Sequence, residues 1–246
     1  MSEFVYNTLD HFLSQFKGPQ YRLDRSIPIS LLLGIAIRRL AWLLRGVAKC
    51  LVLQRRIRFV YMAPRVCLRN ARLIQFGKGA TLGVGVLIDG LSREGIKFGD
   101  NVVIGPYSVV GASSPSNLGA GLRMGKDSAV DAYSFIGAAG FINIGENVIM
   151  GQHVSFHAEN HNYDRTDVPI KQQGTRREGI VVEDDCWVGS NALFLDGTHV
   201  GRGCVIAAGS VVRGEIPPYS VVAGVPARVI KTRTINRAEA PRSVSA

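Results

Sequence analysis

Over residues 182–217 an apolar residue returns at every sixth position: Val182, Val188, Phe194, Val200, Ile206 and Val212. The fifth residue of each step is mostly small, as at Cys186, Ala192, Thr198, Cys204 and Ser210, with Ile216 the exception. A helical face repeats near 3.6 residues and a half-buried strand near 2, so neither aligns this pattern. A period of six fits a solenoid of short strands, three to a coil, with the opener turned inward and a small residue at the tight corner. The same register runs upstream through Phe76, Leu82, Ile88, then Phe98, Ile104, Val110, then Met124, Val130, Ile136, then Ile144, Met150, Phe156. Glycine follows many of these openers, as at Gly77, Gly83, Gly99, Gly105, Gly125, Gly145 and Gly151, and is expected where the coil must bend. Eighteen such steps make six coils. An antiparallel sandwich of short strands would share the turns but not one common register.

A solenoid tolerates extra residues only where a loop can leave at a corner. Small insertions fall at 94–97, at 116–123 and at Ile142 and Asn143. The large one, 162–181, contains NYDRTDVPI and a charged tail, KQQGTRREG. Long loops in an economical architecture tend to carry function. Tyr163, Asp164, Pro169 and Arg176 therefore either shape a pocket or form a solvated arm.

Upstream of the repeats the pattern changes. Residues 27–61 are strongly apolar but interrupted by Arg38, Arg39, Arg45 and Lys49. The uncharged run 27–37 is too short for the roughly 20 residues that span hydrocarbon. An amphipathic helix is expected, lying in the headgroup plane of an anionic membrane with its arginines snorkelling, or else docked on the end of the solenoid or a neighbouring subunit. Acids and aromatics precede the apolar run and no small-residue cleavage site follows it, which argues against a signal peptide. The chain thus divides into an N-terminal helical segment (1–61), the repeat domain (62–231) and a tail (232–246) that has no periodicity and is expected to be disordered.

Charge sharpens this division. The chain carries a formal net charge of +10, and residues 1–67 hold eleven Lys or Arg against three acids, so the repeats are nearly neutral. No nucleic-acid module is present, and the basic segment is also apolar, which favours a membrane surface over nucleic acid. The four cysteines have no metal-ligand spacing. Cys186 and Cys204 should stack on adjacent coils, and all four are read as reduced thiols of a cytoplasmic protein, one that can rest on the inner face of a membrane.

The repeats, the loop and the run IAAGSVVRGEIPPYSVVAGVPARVIK together resemble the hexapeptide-repeat acyltransferases, over about 74–231 and most closely over 161–231. The resemblance implies an all-β fold, a left-handed parallel β-helix; the hand comes from the resemblance alone, since the general crossover rule would favour the other. It also implies a homotrimer whose sites use two neighbouring walls. In the galactoside and maltose type a catalytic histidine lies seven residues after a repeat valine, and Val154 and His161 have that spacing. His161 is then the general base, with His157 or His153 as a weaker candidate or supporting partner. Donor contacts carry over to Ser190, Ala208, Arg213, Arg228 and Lys231, and cations suit a polyanionic coenzyme A. Where the family often has threonine then lysine, this chain has Arg213 and Gly214. Trp187 resembles a tryptophan near the catalytic histidine, or else covers a subunit joint. The family's acceptor-side asparagine pair is not visible; Asp127 and Asp131 stand there instead, and Asp131 either contacts the acceptor or replaces a corner glycine.

The function expected from the resemblance is an acetyl-coenzyme A-dependent O-acyltransferase acting on a saccharide hydroxyl, with surface polysaccharide as the setting. An imidazole base would serve an amine acceptor equally, so an N-acetyltransferase of amino sugars or amino acids is the alternative. A zinc enzyme of the γ-carbonic anhydrase type needs three histidines at matched positions. His157 and His161 lack that pattern with a third, so no metal is expected.

Overall fold

The computed structural model describes residues 3, 6–11, 22–52, 59–111 and 115–234. The expected disorder of the tail concerns residues that, from 235 onward, lie outside this range. The repeats wind around three parallel sheets, numbered 1 to 3 in the order in which the first coil meets them. Sheet 1 runs from Tyr61–Met62 through Trp187–Val188 to Ser220–Gly224, with Ala227–Thr232 added antiparallel at its end, sheet 2 from Cys67–Arg69 to Val211–Val212, and sheet 3 from Ile74–Gln75 to Glu215–Ile216. Each strand pairs in register with the strand one coil later, as Ile149 with Trp187 and Trp187 with Val205. The winding starts one coil before the sequence register, because Met62 and Leu68 already occupy opener positions on sheets 1 and 2.

Every opener from Leu82 onward is buried, but the small fifth residue is not at the corner. It lies two residues before the next opener on the same strand face, so strand alternation turns both inward. Cys186 precedes Val188, and Ser210 precedes Val212, all of them buried. A small inward residue is required there because the chain enters each strand close to the prism's edge. Ile216 breaks the rule because it opens the next strand of sheet 3, two residues early. The core is filled by large side chains such as Phe156 and Phe194, whose rings stack at 4.5 Å. Cys186 and Cys204 are free thiols facing the Gly201 and Pro217 carbonyls, and the Cys204 sulfur together with burial pushes the Cys186 thiol up.

The glycine after the opener also does something other than expected. It does not adopt positive φ at Gly105 or Gly189; a Cβ at Gly105 would stand 2.4 Å from the Ala132 nitrogen, and one at Gly189 2.5 Å from the Ala208 nitrogen. These glycines let one coil's backbone approach the next. The left-handed turn comes two residues later. On the corner between sheets 3 and 1 it is filled by Gly79, Asn101, Asp127, Asn147, Asp185 and Gly203, residue types that tolerate it, and finally by Tyr219. Asn101 donates to Asp127 at 2.8 Å and Asn147 to Asp185 at 3.2 Å, so the corner is also a hydrogen-bonded ladder.

Beside that ladder Asp184 accepts from the Glu146 backbone N–H at 2.8 Å and from Arg202 at 2.6 Å, which together hold its carboxyl below the usual range. A depressed carboxylate stabilises the fold fully above its unfolded pKa of about 3.9 and loses that contribution as pH falls through the folded value. Asp184→Asn is therefore expected to lower thermal stability at neutral pH by about 0.5–1 kcal/mol, given its partial exposure, and to converge on the parent in strong acid. Melting curves across pH test this.

Helix α1 (Ile29–Val52) begins after Pro28, whose carbonyl accepts from the Leu31 and Leu32 amides. It packs on the first coil through Gly46, where a Cβ would stand 1.9 Å from the Val60 carbonyl oxygen. Arg39 lies 4.7 Å over the Tyr61 ring and Lys49 donates to the Val66 carbonyl at 2.6 Å. The C-terminal half of the helix thus closes the open end of the solenoid.

Candidate active site

The long insertion leaves the corner between sheets 2 and 3. After the buried Phe156 the chain continues outward instead of turning, and Asn160–His161 pairs antiparallel with Thr175–Arg176, His161 opposite Thr175. Gln173 fastens the arm from inside, donating to the Arg165 and Val168 carbonyls at 2.7 and 3.0 Å and accepting from the Arg165 amide. The root is fixed by Arg177, which pairs with Glu159 and donates to the Leu118 carbonyl at 2.9 Å, and by Asp196, which accepts from the Glu178 and Gly179 amides. His161 is therefore an exposed imidazole on a rigid two-stranded base, with no hydrogen-bond partner for its ring among the described residues. Tyr163 and Asp164 follow it onto the exposed outer part of the arm.

The three clustered histidines do not form one group. His157 stands on the outer face of sheet 2 with its ring 5.4 Å from that of Phe135. His153 lies at the opposite edge of that sheet, in a left-handed turn at φ 56. Four residues of strand separate it from His157, roughly 13 Å. His153 thus stands at the opposite edge of sheet 2 from the corner at which the arm carrying His161 leaves.

His153 instead ends a column of rings that sequence reasoning missed. It stacks on Tyr133 at 5.3 Å, Tyr133 stacks on Tyr107 at 5.3 Å, and Arg65 donates to the Tyr107 hydroxyl at 3.1 Å. All four occupy the left-handed slot of the corner between sheets 1 and 2, where bulky residues are uncommon. The signal available in the sequence was the contrast with Gly, Asn and Asp in the equivalent slot of the next corner. Asp131 belongs to this same edge, where its carboxylate accepts from the Ala132 amide at 2.7 Å.

Two of the predicted donor contacts lie further along this edge. Ser190 and Ala208 sit one coil apart, and the Gly209 amide donates to the Ser190 carbonyl at 2.9 Å. Trp187 is three residues before Ser190 on sheet 1, with 58% of its surface exposed between Ile149 and Val205. Arg213 is across sheet 2, at the corner from which the arm springs. Arg228 and Lys231 are on the return strand Ala227–Thr232, antiparallel to Ser220–Gly224. Most of the candidate residues therefore fall on the two edges of sheet 2, with His157 on its outer face, Trp187 on sheet 1, and Arg228 and Lys231 on the C-terminal return strand. No trio of His, Cys, Asp or Glu suited to a metal ion is found among the described residues.

Sheet 2 itself lies between the two edges. Of its two outward columns, the one before each buried opener reads Cys67, Leu87, Val109, Phe135, Ser155, Leu193 and Val211, with no charged side chain, whereas the one after it, towards the arm corner, includes Arg69, Asp89 and His157.

The family model described as bacterial transferase hexapeptide (six repeats) matches residues 179–214. A Mycobacterium tuberculosis protein named as an acetyltransferase is 42% identical over 77 residues; the match covers 31% of this chain and only 26% of that protein. A Brevibacillus brevis 2,3,4,5-tetrahydropyridine-2,6-dicarboxylate N-acetyltransferase is 58% identical over 52 residues, 21% of this chain and 22% of that one. Among solved structures, the N-acyltransferase AntD from Bacillus cereus, in complex with coenzyme A and a dTDP-linked amino sugar, overlays with a TM-score of 0.49 at 14% identity, covering 72% of this chain and 81% of that one. The Escherichia coli protein that carries the name lipopolysaccharide biosynthesis O-acetyl transferase WbbJ is 30% identical over 164 residues, 67% of this chain and 74% of that protein. With that breadth of match added to the six-residue register and its three parallel sheets, the chain belongs to the hexapeptide-repeat acyltransferase family.

Proposed function

We propose that the chain is a coenzyme A-dependent O-acyltransferase that moves an acetyl group to a saccharide hydroxyl, with His161 as general base. The observation that carries the reading is the placement of His161: an exposed imidazole, without a hydrogen-bond partner among the described residues, on a fixed base at the root of the arm. The neutral ring accepts the acceptor's hydroxyl proton as its oxygen attacks the thioester carbonyl. The oxyanion of the tetrahedral intermediate is met by backbone N–H groups beside Ser190. Collapse breaks the carbon–sulfur bond, and the imidazolium returns its proton to the leaving thiolate. Products are the acetylated saccharide and the free thiol of coenzyme A. Arg213, Arg228 and Lys231 take the coenzyme's phosphates, while Asp131, Tyr163, Asp164 and Trp187, together with the Tyr133–Tyr107 column, line the acceptor side.

The same reading requires more than one copy. His161 and Ser190 stand at opposite edges of sheet 2, so they meet only if one chain's arm corner abuts the next chain's donor corner. A threefold ring closed across the uncharged column of sheet 2 does this and leaves no open surface. The left hand of the winding goes with this family reading. An acceptor that is a membrane-held precursor of surface polysaccharide, met at the inner leaflet, suits a chain with an exposed apolar helix.

Oxygen is favoured over nitrogen because the relative matched over most of its length carries an O-acetyl name. The amine alternative rests on the shorter N-acetyltransferase match. Incubation with acetyl-coenzyme A and a panel of saccharides and amino sugars tests both, by thiol release and by the mass and alkali lability of the product. An alkali-labile ester is expected, an alkali-stable amide establishes the alternative, and failure of coenzyme A to raise the melting temperature contradicts both.

A further inference from the structure

Projected at 3.6 residues per turn, helix α1 has three faces. Leu32, Arg39, Leu43, Gly46 and Cys50 share the face turned to the first coil, where Gly46 and Cys50 are buried. Arg38, Arg45 and Lys49 share a second. The third is Ile29, Leu33, Ile37, Leu40, Leu44 and Leu51, a stripe roughly 33 Å long at 1.5 Å per residue. No described residue covers that stripe: its residues are between 39% exposed at Ile29 and 61% at Leu44. Leu31 and Ile35 extend the exposed surface over the uncharged first turns. Single exposed aliphatic residues are ordinary, but a continuous stripe of this length marks an interaction surface.

From this stripe and its charged flank we propose that helix α1 docks on an anionic lipid surface, lying along the interface with the stripe in the acyl boundary. The charge pattern selects that occupant. The helix contains Arg38, Arg39, Arg45 and Lys49 and no acid, and residues 1–67 carry eleven cations against three acids. Arg38 and Arg45 make no ion pair among the described residues, so their guanidinium groups are free for headgroup phosphates. No helix among the described residues is long and apolar enough to cross a membrane, and the arginines hold this one at the interface. The side facing the solenoid is already satisfied, so docking needs no unpacking of the fold. The inference is independent of the catalytic reading, since the stripe contains none of the site residues.

Flotation of the full chain with phosphatidylcholine vesicles, with and without phosphatidylglycerol, tests this. Binding is expected only with the anionic lipid and should weaken as salt rises. Leu33→Asp, Leu40→Asp and Leu44→Asp combined, and separately Arg38→Glu with Arg45→Glu, should each reduce binding at least about tenfold. Both sets change exposed positions, and circular dichroism with the melting temperature checks that the fold is intact. If the full chain fails to float with anionic vesicles, or the aspartate variant floats as well as the parent, the proposal is overturned. It is equally overturned if the parent ignores lipid and the aspartate variant changes oligomeric state in light scattering, because the stripe is then a contact between copies. If the aspartate variant loses its fold, the glutamate pair decides by itself.

Discussion

His161→Ala is expected to leave coenzyme A affinity unchanged while lowering turnover by about 10²–10⁴-fold, the usual contribution of a positioned acid–base group. The side chain is exposed and its ring has no hydrogen-bond partner among the described residues, so its removal takes nothing from the core. The arm stays in place because Gln173, Arg177 and Asp196 hold it through contacts that do not involve the imidazole. A loss of kcat with little change in the coenzyme's affinity is the signature of an interaction made in the transition state. His157→Ala and His153→Ala should be mild in comparison, His153 because it stands at the far edge of sheet 2. Steady-state kinetics with the best acceptor of the panel checks all three. Loss of activity in His157→Ala with His161→Ala intact would move the base onto sheet 2.

The second large effect concerns assembly. The parent is expected to be a trimer in solution, and Phe135→Arg combined with Leu193→Arg should dissociate it. Both residues lie on the uncharged outward column of sheet 2, which becomes buried when the ring closes. An unpaired charge buried there costs about 3–5 kcal/mol in each contact. If, as proposed, the two halves of the site lie on different copies, activity should fall with the trimer by about 10²-fold or more, since misplacement of a reacting group by even about 1 Å can cost that much. Light scattering and turnover measured on the same samples test the linkage. A fully active monomer would contradict it.

The backbone's period was legible in the sequence because a hydrophobic residue every six positions admits few architectures. The finer geometry was not. A glycine after an opener reads as a bend, yet at Gly105 and Gly189 it serves the approach of two backbones, a contact between residues some twenty positions apart. The small residue before the next opener reads as a corner residue until strand alternation shows it facing inward. His161 was singled out by the resemblance, through its spacing from Val154, and by its place at the root of the long insertion. His153 looked like its neighbour because sequence separation says nothing about which edge of a sheet a residue reaches. Tyr107 and Tyr133 were missed because single tyrosines carry no signal until the turn slot they share is known. A site shared between copies is invisible in one chain's periodicity: the resemblance alone implied it, and the proposal now rests as well on the arm leaving one edge of sheet 2 while Ser190 and Ala208 line the other.

The most direct test of that composite site is complementation between two inactive variants. His161→Ala removes the base and Ala208→Glu sets a charge and bulk against the coenzyme at an exposed corner; each alone should be nearly inactive. Co-expressed in equal amounts, they assemble mixed trimers in which some interfaces join an intact arm from one copy to an intact donor corner from the next. Activity of about a quarter of the parent's is predicted from random mixing around a closed ring. Activity no greater than that of the two variants measured separately, in trimers verified to be mixed, would contradict the account and confine the site to a single chain.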